Sequence, residues 1–224
     1  MNKLQNTAIS STPSSDGELS IALAKGKLLI PAMQWLANAG YTFTEHELRS
    51  RKLTFMAQEG GMRAILVKPD DVPIYVEYGI TDLGIIGKDT LLESEAEVFE
   101  PRDLKFGACK LAVAGWPQDA QKDFRLRSVV RVGTKYPKIA RRHFDQLGVQ
   151  AEIIALKGSV ELSVLTGLAD VIVDIVETGA TLQENGLVVH QEILSSSARL
   201  VVNKASHKLK LAAIDRLLRA TEIK

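Results

Sequence analysis

Short apolar runs alternate with longer segments of helical spacing from Leu19 to the end of the chain. Each run is about as long as a buried strand, and several of them end at a glycine or beside charged residues. Such alternation is typical of an α/β protein with largely parallel sheets. The predicted strands are residues 19–24, 53–57, 63–68, 82–87, 106–115, 128–134, 152–156 and 170–176, with two further apolar runs between 187 and 204.

Helical patterns fill most of the segments between these strands. One predicted helix begins near Pro69 and closes at Gly79, because proline suits the first turn of a helix and glycine its end. A basic helix ends at Gly148, and a single amphipathic helix is predicted at about 206–222. The apolar stripe of this last helix predicts that it packs on the first group of strands.

The predicted strands fall into two groups, each too short for a six-stranded doubly wound sheet. The apolar run at 106–115 leads from one group to the other, and the stretch 187–202 leads back. Two lobes joined by two crossings leave a cleft, and ligands of such sheets lie at the carboxyl ends of strands. The predicted division is a disordered tail at 1–17, a first domain at 18–108 plus 189–224, and a second domain at 109–188.

Composition narrows the class of protein. The 28 Lys and Arg residues nearly balance the 27 Asp and Glu residues, which argues against nucleic-acid binding through a global basic field. One cysteine excludes a disulfide framework, and the four histidines lack the paired spacing of a metal site, so no protein-bound metal is predicted. The polar N-terminal stretch lacks the apolar core of an export signal, and no run is long enough to span a membrane. A cytoplasmic location is therefore expected.

The most informative motif follows the strand at 170–176. Asp174 lies within this apolar run, and the next helix starts at Glu177-Thr178-Gly179-Ala180-Thr181. Gly179 allows successive N–H groups to converge, and a helix start favours an anion, so the loop suits a phosphate. The threonines can donate to that phosphate, whereas the two carboxylates accept from hydroxyl groups, and a sugar phosphate carries both groups. The alternative is an ordinary helix start capped by Thr178, with an acidic first turn.

Two other strand ends carry candidate groups. Lys25-Gly26-Lys27 joins a strand to a helix and places two cations where a polyphosphate could bind, although a solvated helix start explains it equally well. Arg51 adds charge before the strand at 53–57, in a run that also fits an exposed loop. Asp89 suits a helix N-cap, and Cys109 suits a packed core position.

The chain resembles the ATP phosphoribosyltransferases, which catalyse the first step of histidine biosynthesis. The family pattern E-x5-G-x-[SAG]-x2-[IV]-x-D-[LIV]-x2-[ST]-G-x-T-[LM] is met at Glu161, Gly167, Ala169, Ile172, Asp174, Ile175, Thr178, Gly179, Thr181 and Leu182. The resemblance extends to LAKGKL, SRKLTF, DVPIYVEYG, DLGIIGKDTLLE and GTKYPKIARRHF, and thus to essentially everything after the tail. Lys27 departs from it, because the family usually has arginine there, and lysine lacks the bidentate fork.

The resemblance implies a fold, a reaction and roles for these residues. The fold is the two-lobed periplasmic-binding-protein-like (type II) architecture, an α/β fold with a cleft between its two domains. The reaction transfers the 5-phosphoribosyl group of phosphoribosyl pyrophosphate to N1 of ATP and releases pyrophosphate with inversion. Catalytic roles at the leaving pyrophosphate are implied for Lys27 and Arg51. The implied substrate-binding residues are Lys25, Gly26, Cys109 beside the adenine, Asp174 and Glu177 near the ribose, and Thr178, Gly179, Ala180 and Thr181 around the 5′-phosphate.

The resemblance also implies partners and a cofactor. Long members of the family carry a further regulatory domain of roughly 80 residues. This chain is similar to the short form, which works with a separate regulatory subunit resembling a histidyl-tRNA synthetase, as a homodimer within a hetero-oligomer. Magnesium is expected to arrive on the substrate phosphates. Two other functions stay open: a two-lobed protein that binds a small ligand without chemistry, and a phosphoribosyltransferase with another acceptor.

Overall fold

The computed structural model describes residues 18–44 and 52–221. The predicted tail at 1–17 lies outside the described residues. The strands are β1 (Leu19–Ala24), β2 (Thr54–Met56), β3 (Met62–Val67), β4 (Leu83–Gly87), β5 (Phe99–Asp103), β6 (Cys109–Gly115), β7 (Val130–Thr134), β8 (Ala151–Ala155), β9 (Val171–Val176), β10 (Val188–Ser196) and β11 (Ala198–Val202). The α-helices are α1 (Leu29–Asn38), α2 (Val72–Glu77), α3 (Lys88–Ser94), α4 (Pro137–Gln146), α5 (Glu161–Leu165), α6 (Ala180–Glu184), α7 (Lys204–Leu209) and α8 (Leu211–Ala220).

Two sheets define the two lobes. The first lobe contains a sheet with the strand order β2-β3-β1-β4-β11-β5, and the second contains one with the order β10-β6-β9-β7-β8. Among the described strands, parallel pairing is confined to β1 with β3 and β4, and to β7 with β8 and β9. The prediction of largely parallel sheets is therefore wrong, and both sheets are mixed. The physical reason is that β2 and β3 form a hairpin, while β6, β10 and β11 belong to the segments that cross between the lobes.

The chain returns to the first lobe later than the sequence predicts. Strand β10 pairs with β6 from Val188 to Ser196, so residues 189–196, which the prediction gave to the first domain, lie in the second sheet. Only β11 joins the first sheet, where it pairs with β4 and β5. β10, which leads back from the second lobe, is hydrogen-bonded to β6, which leads into it. Because of this pairing, the chain leaves the second sheet only at Ser197.

Strand β5 was not predicted, because its sequence FEPRD has no apolar alternation. It lies at the edge of the first sheet and pairs only with β11 among the described strands. Pro101 is compatible with this place, since an edge strand does not need every N–H for the ladder. The side chain of Glu100, also in β5, forms ion pairs with Lys88 and Arg199.

The C-terminal segment forms two helices rather than the single predicted one. The helical run breaks at Lys210, between α7 and α8. The ammonium group of Lys210 lies 2.9 Å from the buried carboxylate of Asp82, which also accepts hydrogen bonds from the hydroxyl groups of Ser20 and Ser206. This polar cluster anchors the segment on the first lobe. Ile214 and Leu217 of α8 then pack into the apolar core of the first lobe.

Candidate active site

A cavity of about 410 Å³ lies where β9 ends and α6 begins. Its lining includes Asp174 and the five residues 177–181 that the sequence singled out. Gly179 is the N-cap of α6 and adopts φ 80° and ψ 0°, a left-handed conformation that favours glycine. A Cβ atom there would have only the Val176 side chain nearby, at 3.9 Å. The loop thus requires glycine for its backbone shape and not for space.

The alternative interpretation of this loop as an ordinary capped helix start is wrong. Gly179 occupies the N-cap position and has no side chain, while the first turn of α6 contains no acidic residue. The hydroxyl of Thr178, one residue earlier, accepts a long 3.3 Å bond from the N–H of Ala180. The exposed side chain of Thr181 also lines the cavity. The hydroxyl groups of Thr178 and Thr181 therefore remain able to donate hydrogen bonds to a ligand in the cavity.

Asp174, a residue of β9, lines this cavity. Its Oδ1 atom accepts the N–H of Ile175 at 2.9 Å. Burial raises the pKa of Asp174 above its usual value, whereas that N–H and the charge of Lys135 act in the opposite direction. Lys135 and Glu161 complete the charged lining. In the sequence Lys135 cannot be distinguished from the basic residues of the solvent-exposed helix that follows it. Its place in the cavity is seen only in the folded chain.

A second cavity, of about 400 Å³, lies beside the first at the ends of β1 and β4. Its lining includes Lys25 and Cys109, and both lobes contribute to it. Gly26 adopts φ 106° in the turn before α1, and its carbonyl accepts the N–H of Leu29 at 3.1 Å. Arg51, the remaining predicted residue, lies outside the described residues. The two cavities share four lining residues, Lys27, Tyr136, Ile175 and Glu177.

Lys27 and Glu177 form a salt bridge across the cleft. The ammonium nitrogen of Lys27, on the first lobe, lies 2.9 and 3.0 Å from the two carboxylate oxygens of Glu177, on the second lobe. Their side chains are 83% and 48% exposed, so this is a surface ion pair, and such pairs contribute little stability. An incoming polyanion can therefore compete with Glu177 for Lys27.

A buried hydrogen-bond cluster also joins the two lobes. Asp89, only 5% exposed, accepts hydrogen bonds from the hydroxyls of Tyr136 and Ser196. Burial, reinforced by the Asp89 carboxylate, raises the pKa of Tyr136 and keeps its phenol protonated as a donor. The interpretation of Asp89 as an N-cap is wrong, because Gly87 holds that position before α3. Tyr136 and Ser196 lie 47 and 107 residues from Asp89 in the sequence, so no local pattern could predict the cluster.

Cys109 is half-buried at the start of β6, opposite Ser196 in the neighbouring strand. Burial, with a smaller effect from Asp89, raises the pKa of its thiol. The thiol therefore stays neutral near pH 7 and is a poor nucleophile. It can border a ligand in the second cavity through contact alone.

Metal and membrane features are absent from residues 18–44 and 52–221. In these ranges no group of three or more His, Cys, Asp and Glu side chains is arranged to hold a metal ion. The described helices include none with the length and apolar character needed to cross a membrane.

Comparisons with known proteins agree on one family. Residues 68–222 match the family model described as HisG, ATP phosphoribosyltransferase. The chain is 49% identical over 201 residues to a Geobacillus protein named ATP phosphoribosyltransferase, with 89% of this chain and 95% of that protein covered. It is 46% identical over 213 residues to a Clostridium kluyveri protein of the same name, with 93% and 95% covered. Its fold is similar to that of a chain in the ATP phosphoribosyl transferase (HisG:HisZ) complex from Thermotoga maritima, with a TM-score of 0.79, 32% identity, and coverage of 91% of this chain and 96% of that one.

Proposed function

The chain belongs to the ATP phosphoribosyltransferase family, and we propose that its two adjoining cavities hold the two substrates of that reaction. The protein transfers the 5-phosphoribosyl group from phosphoribosyl pyrophosphate to N1 of ATP and releases pyrophosphate, in the first step of histidine biosynthesis. The observation that carries the placement is the meeting of two cavities of nearly equal volume at Lys27 and Glu177.

The phosphoribosyl group occupies the cavity at the end of β9 in this proposal. The left-handed Gly179 and the hydroxyls of Thr178 and Thr181 receive the 5′-phosphate, with the backbone of Ala180 beside them. Asp174 accepts hydrogen bonds from the ribose hydroxyls, a role supported by its place in the lining of the same cavity. The nucleotide occupies the neighbouring cavity, with its adenine beside Cys109 and cations of the Lys25-Gly26-Lys27 turn near the phosphates.

Catalysis then depends on charge at the leaving group. As N1 of adenine forms its bond to C1 of the ribose, the C1–O bond to pyrophosphate breaks and its electron pair leaves with the pyrophosphate, inverting C1. The ribose gains oxocarbenium character, while the pyrophosphate gains negative charge. Lys27, released from Glu177, and Arg51 stabilise that charge more in the transition state than in the ground state. Glu177, once free of Lys27, faces the electron-poor sugar.

The site fits magnesium that arrives with the substrates. Magnesium prefers oxygen ligands and commonly uses one or two protein carboxylates together with substrate phosphates. Asp174 and Glu177 offer such oxygens at the edge of the proposed phosphoribosyl position. Bound there, the ion would neutralise part of the pyrophosphate charge.

A separate regulatory subunit belongs to the proposal. The similar chain from Thermotoga maritima was solved in a complex named HisG:HisZ, which supports a HisZ-like partner resembling a histidyl-tRNA synthetase for this chain. We place the chain as a homodimer within that hetero-oligomer. A cytoplasmic location is proposed with it, because both substrates are highly charged and do not cross membranes unaided.

A direct assay tests the function. The chain is mixed with Mg²⁺, ATP and phosphoribosyl pyrophosphate, with and without the regulatory subunit, and an adduct absorbing in the near ultraviolet is followed together with pyrophosphate release. Equal formation of both products is expected. Ligand binding by calorimetry without either product would identify a binding protein. Pyrophosphate release with another nucleotide or base, but not with ATP, would identify a different acceptor.

A further inference from the structure

Helix α3 belongs to the first lobe but makes several contacts with the second. Leu92 packs against the apolar core of the second lobe, although α3 follows a strand of the first sheet. Tyr136 donates to Asp89 in the first turn of α3. Glu95, just after the helix, forms ion pairs with Lys138 and Arg142 of α4. The two helices therefore connect the lobes beside the cleft.

Glu93 makes the most specific of these contacts. Its Oε1 atom accepts the backbone N–H of Lys138, and its Oε2 atom accepts the N–H of Ile139, both at 3.0 Å. These groups belong to the first turn of α4, where a helix lacks internal acceptors for its N–H groups. A carboxylate there also interacts favourably with the helix dipole. A side chain of one lobe thus caps a helix of the other.

The start of α4 has no other cap among the described residues. Tyr136 occupies the N-cap position without a capping hydrogen bond from its side chain, and Pro137 has no N–H group. The next donor, Ala140, bonds to the carbonyl of Tyr136 at 2.9 Å within the helix. Glu93 therefore satisfies both N–H groups that the first turn leaves open, and it holds them with a bidentate contact.

This cap lies directly behind the proposed active site. Lys135 and Tyr136 immediately precede α4, and both line the cavity at the end of β9. Tyr136 also lines the second cavity. Movement of the first turn of α4 would shift both side chains relative to Asp174. Small displacements of this kind cost much more in the rate of a bimolecular reaction than in ground-state binding.

We propose that Glu93 is a positioning residue, which acts through the first turn of α4 to hold Lys135 and Tyr136 in the geometry that the reaction needs. Glu93 does not line either cavity, so its effect is indirect. The inference rests on the proposed function for its kinetic readout. Its structural basis, the cap between the lobes, can be measured without activity.

The test compares Glu93→Gln with Glu95→Gln. The first variant keeps the shape of the side chain but turns an NH2 group toward one of the two N–H donors. The matched control removes a charge from the same interface, where Glu95 contacts only side chains of α4 in the described ion pairs. Glu93→Ala removes the cap altogether. For each protein the measurements are thermal stability, amide hydrogen exchange at Lys138 and Ile139, and kcat and KM for both substrates.

In Glu93→Gln we expect faster exchange at Lys138 or Ile139 and a fall in kcat of about tenfold, with each KM changed by less than about threefold. Glu95→Gln should match the wild type. A folded Glu93→Gln protein with wild-type kcat would overturn the proposal whether or not its exchange is faster, as would an equal loss in Glu95→Gln. If Glu93→Ala does not fold, the comparison of Glu93→Gln with Glu95→Gln still tests the proposal. A wild-type chain that forms no adduct even with the regulatory subunit would instead refute the proposed function, while the exchange comparison would still test the cap.

Discussion

Replacing Gly179 by valine tests the phosphate loop most directly. The left-handed backbone at this position, with φ 80°, costs a non-glycine residue about 1–2 kcal/mol. A Cβ atom has room, because the nearest side-chain atom is 3.9 Å away, so strain and not collision drives the effect. The exposed loop can relieve that strain by leaving the left-handed region. We therefore expect the fold to persist and the affinity for phosphoribosyl pyrophosphate to fall at least tenfold, about 1.4 kcal/mol.

Gly148→Val provides the matched control. Gly148 follows α4 with φ 69°, would have no neighbouring atom within 4 Å of an added Cβ, and lines neither cavity. Both variants should lose at most about 1–2 kcal/mol of stability, or up to roughly 8 °C in Tm. Titration calorimetry with phosphoribosyl pyrophosphate separates them, because only Gly179→Val should bind more weakly. An unchanged Kd in Gly179→Val, or an equal loss in Gly148→Val, would refute the loop assignment.

Three further outcomes are expected. Arg51→Ala should lower the single-turnover rate of adduct formation about tenfold for each 1.4 kcal/mol of lost transition-state stabilisation, and a wild-type rate would identify Arg51 as a surface charge. The isolated chain should be insensitive to histidine and become sensitive in the reconstituted complex, so potent inhibition of the chain alone would contradict the short-form assignment. Asp82→Asn should lower the free energy of unfolding at pH 7 by about 3 kcal/mol, since it removes the buried negative charge that faces the Lys210 ammonium at 2.9 Å. Burial alone would raise the pKa of Asp82, but the hydrogen bonds from Ser206, Lys210 and Ser20 hold it below its usual value. The ionised form thus stabilises the fold above about pH 4, and the difference between wild type and variant in urea unfolding should shrink as the pH falls through the pKa of the folded protein.

The local pattern predicted most of the elements and the phosphate loop. Strands such as β1 and β9 are apolar runs with one polar residue each, and a run of that kind needs no distant information to be recognised. Gly179 could be singled out in the same way, because its need for a left-handed backbone arises from its immediate neighbours. Polar β5 has no such signal, since an edge strand is stabilised by its pairing and not by an apolar face.

Contacts across the cleft could not be predicted from the sequence. Lys27 and Glu177 are 150 residues apart, and the contact of Asp89 with Ser196 spans 107 residues. No sequence periodicity encodes such a pair, because each partner is placed by a different sheet and the contact depends on how the two lobes pack. The same is true of Glu93, an ordinary polar residue of a short helix until α4 is brought against it. The sequence alone therefore predicted which strand ends carry the candidate residues, because each motif is local. The packing of the two lobes determines which of those strand ends face each other across the cleft.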